Sequence, residues 1–145
     1  MSWTLRLLAL ITLGSLSQGA AAAVDENDLL PVDQAFALSA QADGRQRITL
    51  DWAIADGYYL YRHRTRVVAS EDYRAGALQL PSGTPYQDEF FGAVETYRQQ
   101  LRATLPGQPE AGLRQVSLEV HYQGCADIGV CYPPQKRNVQ VTLPA

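Results

Sequence analysis

Arg47-Ile48-Thr49-Leu50-Asp51-Trp52-Ala53-Ile54 alternates without a break: Ile48, Leu50, Trp52 and Ile54 share one side, Arg47, Thr49 and Asp51 the other. A period of two with one apolar side is the pattern of a half-buried β-strand. Gln115 to Tyr122 repeats it, with Val116, Leu118, Val120 and Tyr122 on the apolar side and Ser117, Glu119 and His121 opposite. Residues 138–143 do the same with Val139, Val141 and Leu143, and residues 36–40 alternate weakly. Residues 58–68 form a β-rich run in which Arg62, Arg64 and Arg66 read as a solvated strand face, and residues 94–97 and 101–105 are short strand candidates. Turns fall at Ala42-Asp43-Gly44 and Asp56-Gly57, and loops at 81–85 and 106–112. No segment carries a helical period of useful length. Several short strands between Gly/Pro turns predict an all-β antiparallel sandwich or barrel, and we expect an immunoglobulin-like sandwich. The two cysteines stand too close in sequence to staple one sheet to the other, as they do in antibody domains.

The 145 residues amount to one domain, and 46% hydrophobic residues exclude a disordered chain. Residues 1–23 read as a secretory signal: Arg6 supplies a positive start, Leu7 to Leu16 an apolar run, and Ala21-Ala22-Ala23 the small residues a signal peptidase needs. The run is shorter than the roughly 20 apolar residues that span a bilayer. Residues 24–145 are then an exported domain, and the periplasm fits the style of the signal. Removing the signal takes away Arg6 and no acid, so the net charge moves from -3 to -4. An acidic balance argues against a nucleic-acid partner. His63 and His121 are far apart and no Cys/His cluster has ligand spacing, so no metal is expected. There is neither a phosphate-binding Gly-rich loop nor a nucleophile elbow.

Cys125 and Cys131 lie in Tyr122-Gln123-Gly124-Cys125-Ala126-Asp127-Ile128-Gly129-Val130-Cys131-Tyr132-Pro133-Pro134. In an oxidising compartment the pair is expected to form a disulfide. So short a closed loop gains only about 2–2.5 kcal/mol in the chain-entropy model, which is little return for a purely structural staple. Tyr122 and Tyr132 flank the pair as an apolar collar, and Asp127 sits inside the loop. A thiol among aromatics and carboxylates stays protonated until a partner changes its surroundings, which suits a gated electron carrier. Tyr86-Gln87-Asp88-Glu89-Phe90-Phe91-Gly92 supports gating: one reading is a loop tucking a Phe into the core, the other a lid with Gly92 as hinge. Two functions from different classes remain: an electron-relay module, or an exported immunoglobulin-like binding module with an inert structural disulfide.

Three blocks carry a resemblance. Asp56-Gly57-Tyr58-Tyr59-Leu60-Tyr61-Arg62, Asp88-Glu89-Phe90-Phe91-Gly92, and the cysteine segment with its Tyr-Pro-Pro flank closely resemble the amino-terminal periplasmic domain of the DsbD family of Gram-negative thiol:disulfide interchange proteins. Leu30-Pro31-Val32-Asp33-Gln34-Ala35-Phe36 also looks like that family, so the likeness runs in order over the chain after the signal. It implies an immunoglobulin-like fold with its redox pair at one edge, and a protein-disulfide reductase activity of which this domain is one stage. It implies no cofactor beyond the redox-active disulfide.

The implied electron donor is the family's carboxy-terminal thioredoxin-like domain, fed by a transmembrane domain; the implied acceptors are periplasmic DsbC, DsbG and the cytochrome c maturation protein CcmG. By position, the resemblance makes Cys131 the attacking thiol and Cys125 the resolving one. It makes residues 88–92 a cap loop with Phe90 over the disulfide. It also implies that Asp88 and Glu89 lie near Cys131 and keep its pKa high, and that Tyr59 and Tyr61 pack beside the pair. Two positions depart from the family pattern: Phe91, where Tyr is common, and Leu29, where an aromatic is expected.

Overall fold

A computed structural model describes residues 26–145; the predicted signal, residues 1–23, and the boundary at residue 24 lie outside the described residues. In chain order the strands are β1 (Phe36–Ala42), β2 (Arg47–Ile54), β3 (Tyr58–Tyr61), β4 (Arg66–Ala69), β5 (Thr84–Asp88) and β6 (Gly92–Tyr97). They continue with β7 (Gln100–Pro106), β8 (Gln115–Tyr122), β9 (Gly124–Ala126), β10 (Val130–Cys131) and β11 (Gln135–Thr142). Every pairing is antiparallel, in three sheets of order β1-β2-β7, β11-β8-β4 and β10-β9-β3-β6-β5. The architecture is the expected immunoglobulin-like β-sandwich.

The alternating segments behave as their patterns dictate. Ile48, Leu50, Trp52 and Ile54 of β2 are buried, as are Val116, Leu118, Val120 and Tyr122 of β8. Trp52 meets Tyr122 edge-on at 5.9 Å, so these two strands face each other across the core and belong to different sheets. Deep burial of apolar side chains, at about 25 cal/mol per Å², is the main force holding the layers together.

The long run over 58–68 is not one strand, and Arg62, Arg64 and Arg66 do not form a common strand face. Arg62–Arg64 is a single 3-10 turn at which the chain leaves the five-stranded sheet and enters the sheet of β8. Thr65 secures the corner, donating its hydroxyl to the Tyr61 carbonyl at 2.9 Å. Arg62 pairs with Glu95 at 2.8 Å, and Arg64 lies over the Phe91 ring.

The region read as a loop before the lid is also strand. β5 pairs with β6 from Thr84↔Thr96 to Asp88↔Gly92, so Glu89, Phe90 and Phe91 form a three-residue hairpin tip. Gly92 takes the positive φ (73°) that the tip requires.

All four residues of β3 are buried. Tyr58 and Leu60 enter the main core, whereas Tyr59 and Tyr61 form a second cluster with Cys125, against which Val94 and Cys131 pack. This strand is covered on both faces, and its outer face carries the candidate site.

Candidate functional site

β9 and β10 are a hairpin in which Cys131 stands directly opposite Cys125, with Cα atoms 3.9 Å apart and the sulfurs joined in a disulfide. β9 also pairs with β3, which sets Tyr59 opposite Cys125. Cys125 is 1% exposed, while Cys131 is only partly buried. The turn between them is held from outside. Asp127 donates its backbone N–H to the Gly57 carbonyl at 2.8 Å, and its carboxylate takes both guanidinium nitrogens of Arg98 at 3.0 and 2.8 Å. The Arg98 guanidinium in turn lies 5.0 Å over the Tyr59 ring and 5.9 Å from that of Tyr86.

The β5–β6 tip reaches the disulfide through Asp88. Its Oδ2 accepts the hydroxyls of Tyr59 (2.9 Å) and Tyr61 (2.7 Å), and its Oδ1 accepts the N–H groups of Phe90 (2.8 Å) and Phe91 (2.9 Å). A carboxylate has about four lone-pair positions, and all four are used here. Burial alone would raise the Asp88 pKa. The bonds from Tyr61, the two N–H groups and Tyr59 outweigh it and hold the carboxyl below its ordinary value. The same contacts act in reverse on the tyrosines: burial first, then the hydrogen bond to Asp88, push both phenols up.

Tyr61 links carboxylate to sulfur. Its oxygen lies 3.1 Å from Cys125 Sγ and 3.7 Å from Cys131 Sγ. A phenol has one hydrogen, and here it points to Asp88. The oxygen therefore turns a lone pair to the sulfurs. That arrangement accepts a hydrogen from a thiol and offers none to a thiolate.

The structure thus brings Cys125, Cys131, Tyr59, Tyr61 and Asp88 together. Glu89 is exposed, and its carboxylate overhangs the hairpin turn: a Cβ on Gly129 would stand 3.6 Å from Glu89 Oε1. Phe90 is 55% exposed at the tip. Phe91 is the ring that packs inward, 5.0 Å from Tyr61 and 4.9 Å from His63.

Tyr122 and Tyr132 do not line the sulfurs. They sit one layer below, edge-on to Phe36 at 6.5 and 5.5 Å, on the main-core face of the sheet. There Tyr132 donates its hydroxyl to the Leu30 carbonyl, and Leu30 N–H donates to the Tyr58 hydroxyl at 2.9 Å. The leader is thereby fastened behind the redox hairpin. Arg98, Val94, His63 and Arg64 also belong to the site, and sequence reasoning did not place them there; Tyr86, which opens the stretch read as a lid, joins them. Among the described residues no group of three or more His, Cys, Asp or Glu is placed to hold a metal ion, and no helix is long and apolar enough to cross a membrane.

Comparison with known proteins agrees with this geometry. The chain is 44% identical over 128 residues to the thiol:disulfide interchange protein DsbD of Vibrio vulnificus (strain CMCP6), a match covering 87% of this chain and 21% of that protein. The chain therefore spans about a fifth of the length of such relatives. The crystal structure of the Neisseria meningitidis DsbD n-terminal domain in the reduced form superposes with a TM-score of 0.74 at 31% identity, covering 82% of this chain and 94% of that one. The structure of a complex between the DsbD N-terminal and PilB N-terminal domains from the same organism gives 0.68 at 32% identity, covering 79% and 88%. The family model for the N-terminal part of thiol:disulfide interchange protein DsbD matches residues 26–143, and the chain belongs to that family.

Proposed function

We propose that this domain is a periplasmic electron relay that passes two electrons at a time through a reversible Cys125–Cys131 disulfide. The observation that carries the reading is the unequal exposure of the two cysteines: Cys125 is buried with Tyr59 and Tyr61, and Cys131 is only partly buried. An incoming thiolate meets Cys131 first. It forms a mixed disulfide there and expels Cys125 as thiolate; a second thiol of the donor then attacks its own sulfur of that bond and frees Cys131. The donor leaves oxidised and the pair holds two electrons and two protons. In the forward direction the Cys131 thiolate attacks an acceptor disulfide, and Cys125 resolves the mixed species, restoring the Cys125–Cys131 bond and releasing a dithiol.

The donor we assign is the carboxy-terminal thioredoxin-like domain of a longer DsbD-type chain with a transmembrane domain. The acceptors are periplasmic proteins of the DsbC, DsbG and CcmG type. Supporting this are the relative solved in the reduced form and the relative solved in a complex with another domain. Asp88, Glu89, Phe90, Phe91 and Gly92 act as the cap, and the Asp88–Tyr61 arrangement keeps the thiols protonated until a partner lifts it.

The domain is to be equilibrated with a thioredoxin-like dithiol and its free thiols trapped. Reduction of the pair is expected; when the partner is presented instead in its disulfide form, Cys125→Ser should accumulate a mixed disulfide through Cys131 and Cys131→Ser none. A pair that resists reduction would instead be an inert structural bridge. A second expectation concerns the tip. Phe90→Ala should speed oxidation of the reduced pair by small oxidants, and unchanged kinetics would remove Phe90 from the shield.

A further inference from the structure

Phe91 is the residue that seats the hairpin tip on the sheet. Three groups meet its ring: Tyr61 edge-on at 5.0 Å, His63 edge-on at 4.9 Å, and the Arg64 guanidinium carbon 4.9 Å from the ring centre. The Asp88 bonds to the N–H groups of Phe90 and Phe91 lie within the tip and fix its shape. Its seat on the sheet rests on two other attachments, the Asp88–tyrosine bonds and the Phe91 ring. The tip is joined to β6 through Gly92, whose positive φ marks the point about which it can swing.

Among the described residues the cation on Phe91 makes no ion pair. Arg62 is paired with Glu95 and Arg98 with Asp127, but among the described residues no carboxylate stands within ion-pair distance of Arg64. An un-neutralised guanidinium over a ring face is attracted by the ring quadrupole, and the planar group also packs flat. His63 bridges the two aromatic rings, 5.3 Å from Tyr61 and 4.9 Å from Phe91. Loss of water around the imidazole, then the charge of Arg64, hold its pKa below the usual value. At neutral pH it acts as a neutral aromatic neighbour, and Arg64 supplies the charge.

We propose that Arg64, supported by His63, is a positioning residue for the redox site: from the 3-10 turn after β3 it latches the Phe91 ring and so sets how often the hairpin tip stands clear of the disulfide. The latch rests on the exchange function proposed above and extends it to residues outside the cysteine hairpin and the tip. It also has a sign that separates it from plain electrostatics. A cation near the pair favours thiolate, so if Arg64 acted through charge, its loss would slow thiol chemistry. If it acts as a latch, its loss opens the tip and speeds that chemistry.

The reduced domain is to be alkylated with N-ethylmaleimide from pH 6 to 10. Arg64→Gln is expected to raise the rate about threefold at every pH, the size of an exposed cation–π contact, without moving the midpoint of the profile. Arg64→Lys should recover part of the wild-type rate. Phe91→Leu also loses the edge contacts of Tyr61 and His63, so it should raise the rate at least as much as Arg64→Gln, and adding Arg64→Gln to it should change little, because the Arg64 contact is already gone. Arg64 is exposed, so the melting temperature should not change. A slower rate or a displaced midpoint in Arg64→Gln overturns the latch. If the wild-type pair resists reduction by dithiothreitol, the exchange function falls and the latch with it. If the wild-type pair exchanges normally and Arg64→Gln is indistinguishable from it, the latch alone falls.

Discussion

Gly124→Ala is expected to destabilise the domain by about 3 kcal/mol, the upper part of the overpacking range, and to lower the melting temperature by roughly 10 °C or more. Gly124 opens β9 and pairs with Leu60 of β3. A Cβ there would run into the Tyr59 carbonyl oxygen and the Phe36 ring, including Phe36 Cε1 at 2.9 Å. Neither obstacle can move cheaply. The carbonyl belongs to a strand buried on both faces, and Phe36 is wholly buried among Tyr58, Tyr122 and Tyr132. The chain would relieve the clash by pulling β9 away from β3, and that pairing is what places Cys125 beneath Tyr61. Gly44→Ala is the control: Gly44 has a positive φ but no atom within 4 Å of a new Cβ, so the substitution costs only backbone strain of about 1 kcal/mol. Urea denaturation of both variants measures the difference. Equal midpoints would show that β9 does not need to lie so close to Phe36.

How far the sequence reveals this arrangement depends on how many faces of each strand are covered. β2 and β8 bury one face, so their alternation is legible and their core residues can be named in advance. β3 buries both faces, so Tyr58 to Tyr61 shows no period, and the sheet change at Arg62–Arg64 leaves no compositional mark. β5 has the opposite difficulty: four of its five residues are exposed, Pro81 precedes it and Pro85 lies within it, and it reads as loop. The cysteine hairpin and residues 88–92 stand out because their composition is odd for a surface. The arms that hold them do not. Arg98 is 29 residues from Asp127, and Phe91 is 27 from Arg64; the first meeting is made by the β9–β3–β6 pairing and the second by the β3–β6–β5 pairing, and no local pattern encodes them. The apolar collar was misplaced for a similar reason. Tyr122 and Tyr132 flank the cysteines in sequence, but pleating sends the residue next to Cys131 to the opposite face.

Asp88→Asn is expected to speed alkylation of the reduced pair at pH 7 by about tenfold, the equivalent of 1.4 kcal/mol in favour of thiolate. An asparagine in this position keeps its oxygen for the N–H groups of Phe90 and Phe91, since only an acceptor can face two donors. Its amide then points at the oxygens of Tyr59 and Tyr61. Tyr61 becomes the acceptor of that bond, and its own hydrogen is free to turn to Cys125 Sγ, 3.1 Å away. The reversal of one hydrogen bond and the loss of one negative charge both favour thiolate. The tip keeps its shape, so the gain is separable from opening: the midpoint of the pH–rate profile moves down, whereas the Arg64 variant leaves it in place. Adding Glu89→Gln should extend the effect only slightly, because Glu89 is exposed and its charge is screened. The same substitution has a signature in acid. Asp88 is held below its ordinary pKa in the folded domain, so the stability it contributes is complete above the unfolded carboxyl value near 4. That contribution is lost as pH falls through the lower folded value. Wild type should therefore lose stability more steeply than Asp88→Asn below about pH 4. Parallel acid profiles together with an unmoved alkylation midpoint would mean that the Asp88 carboxylate shapes the tip and has no hold on the sulfur.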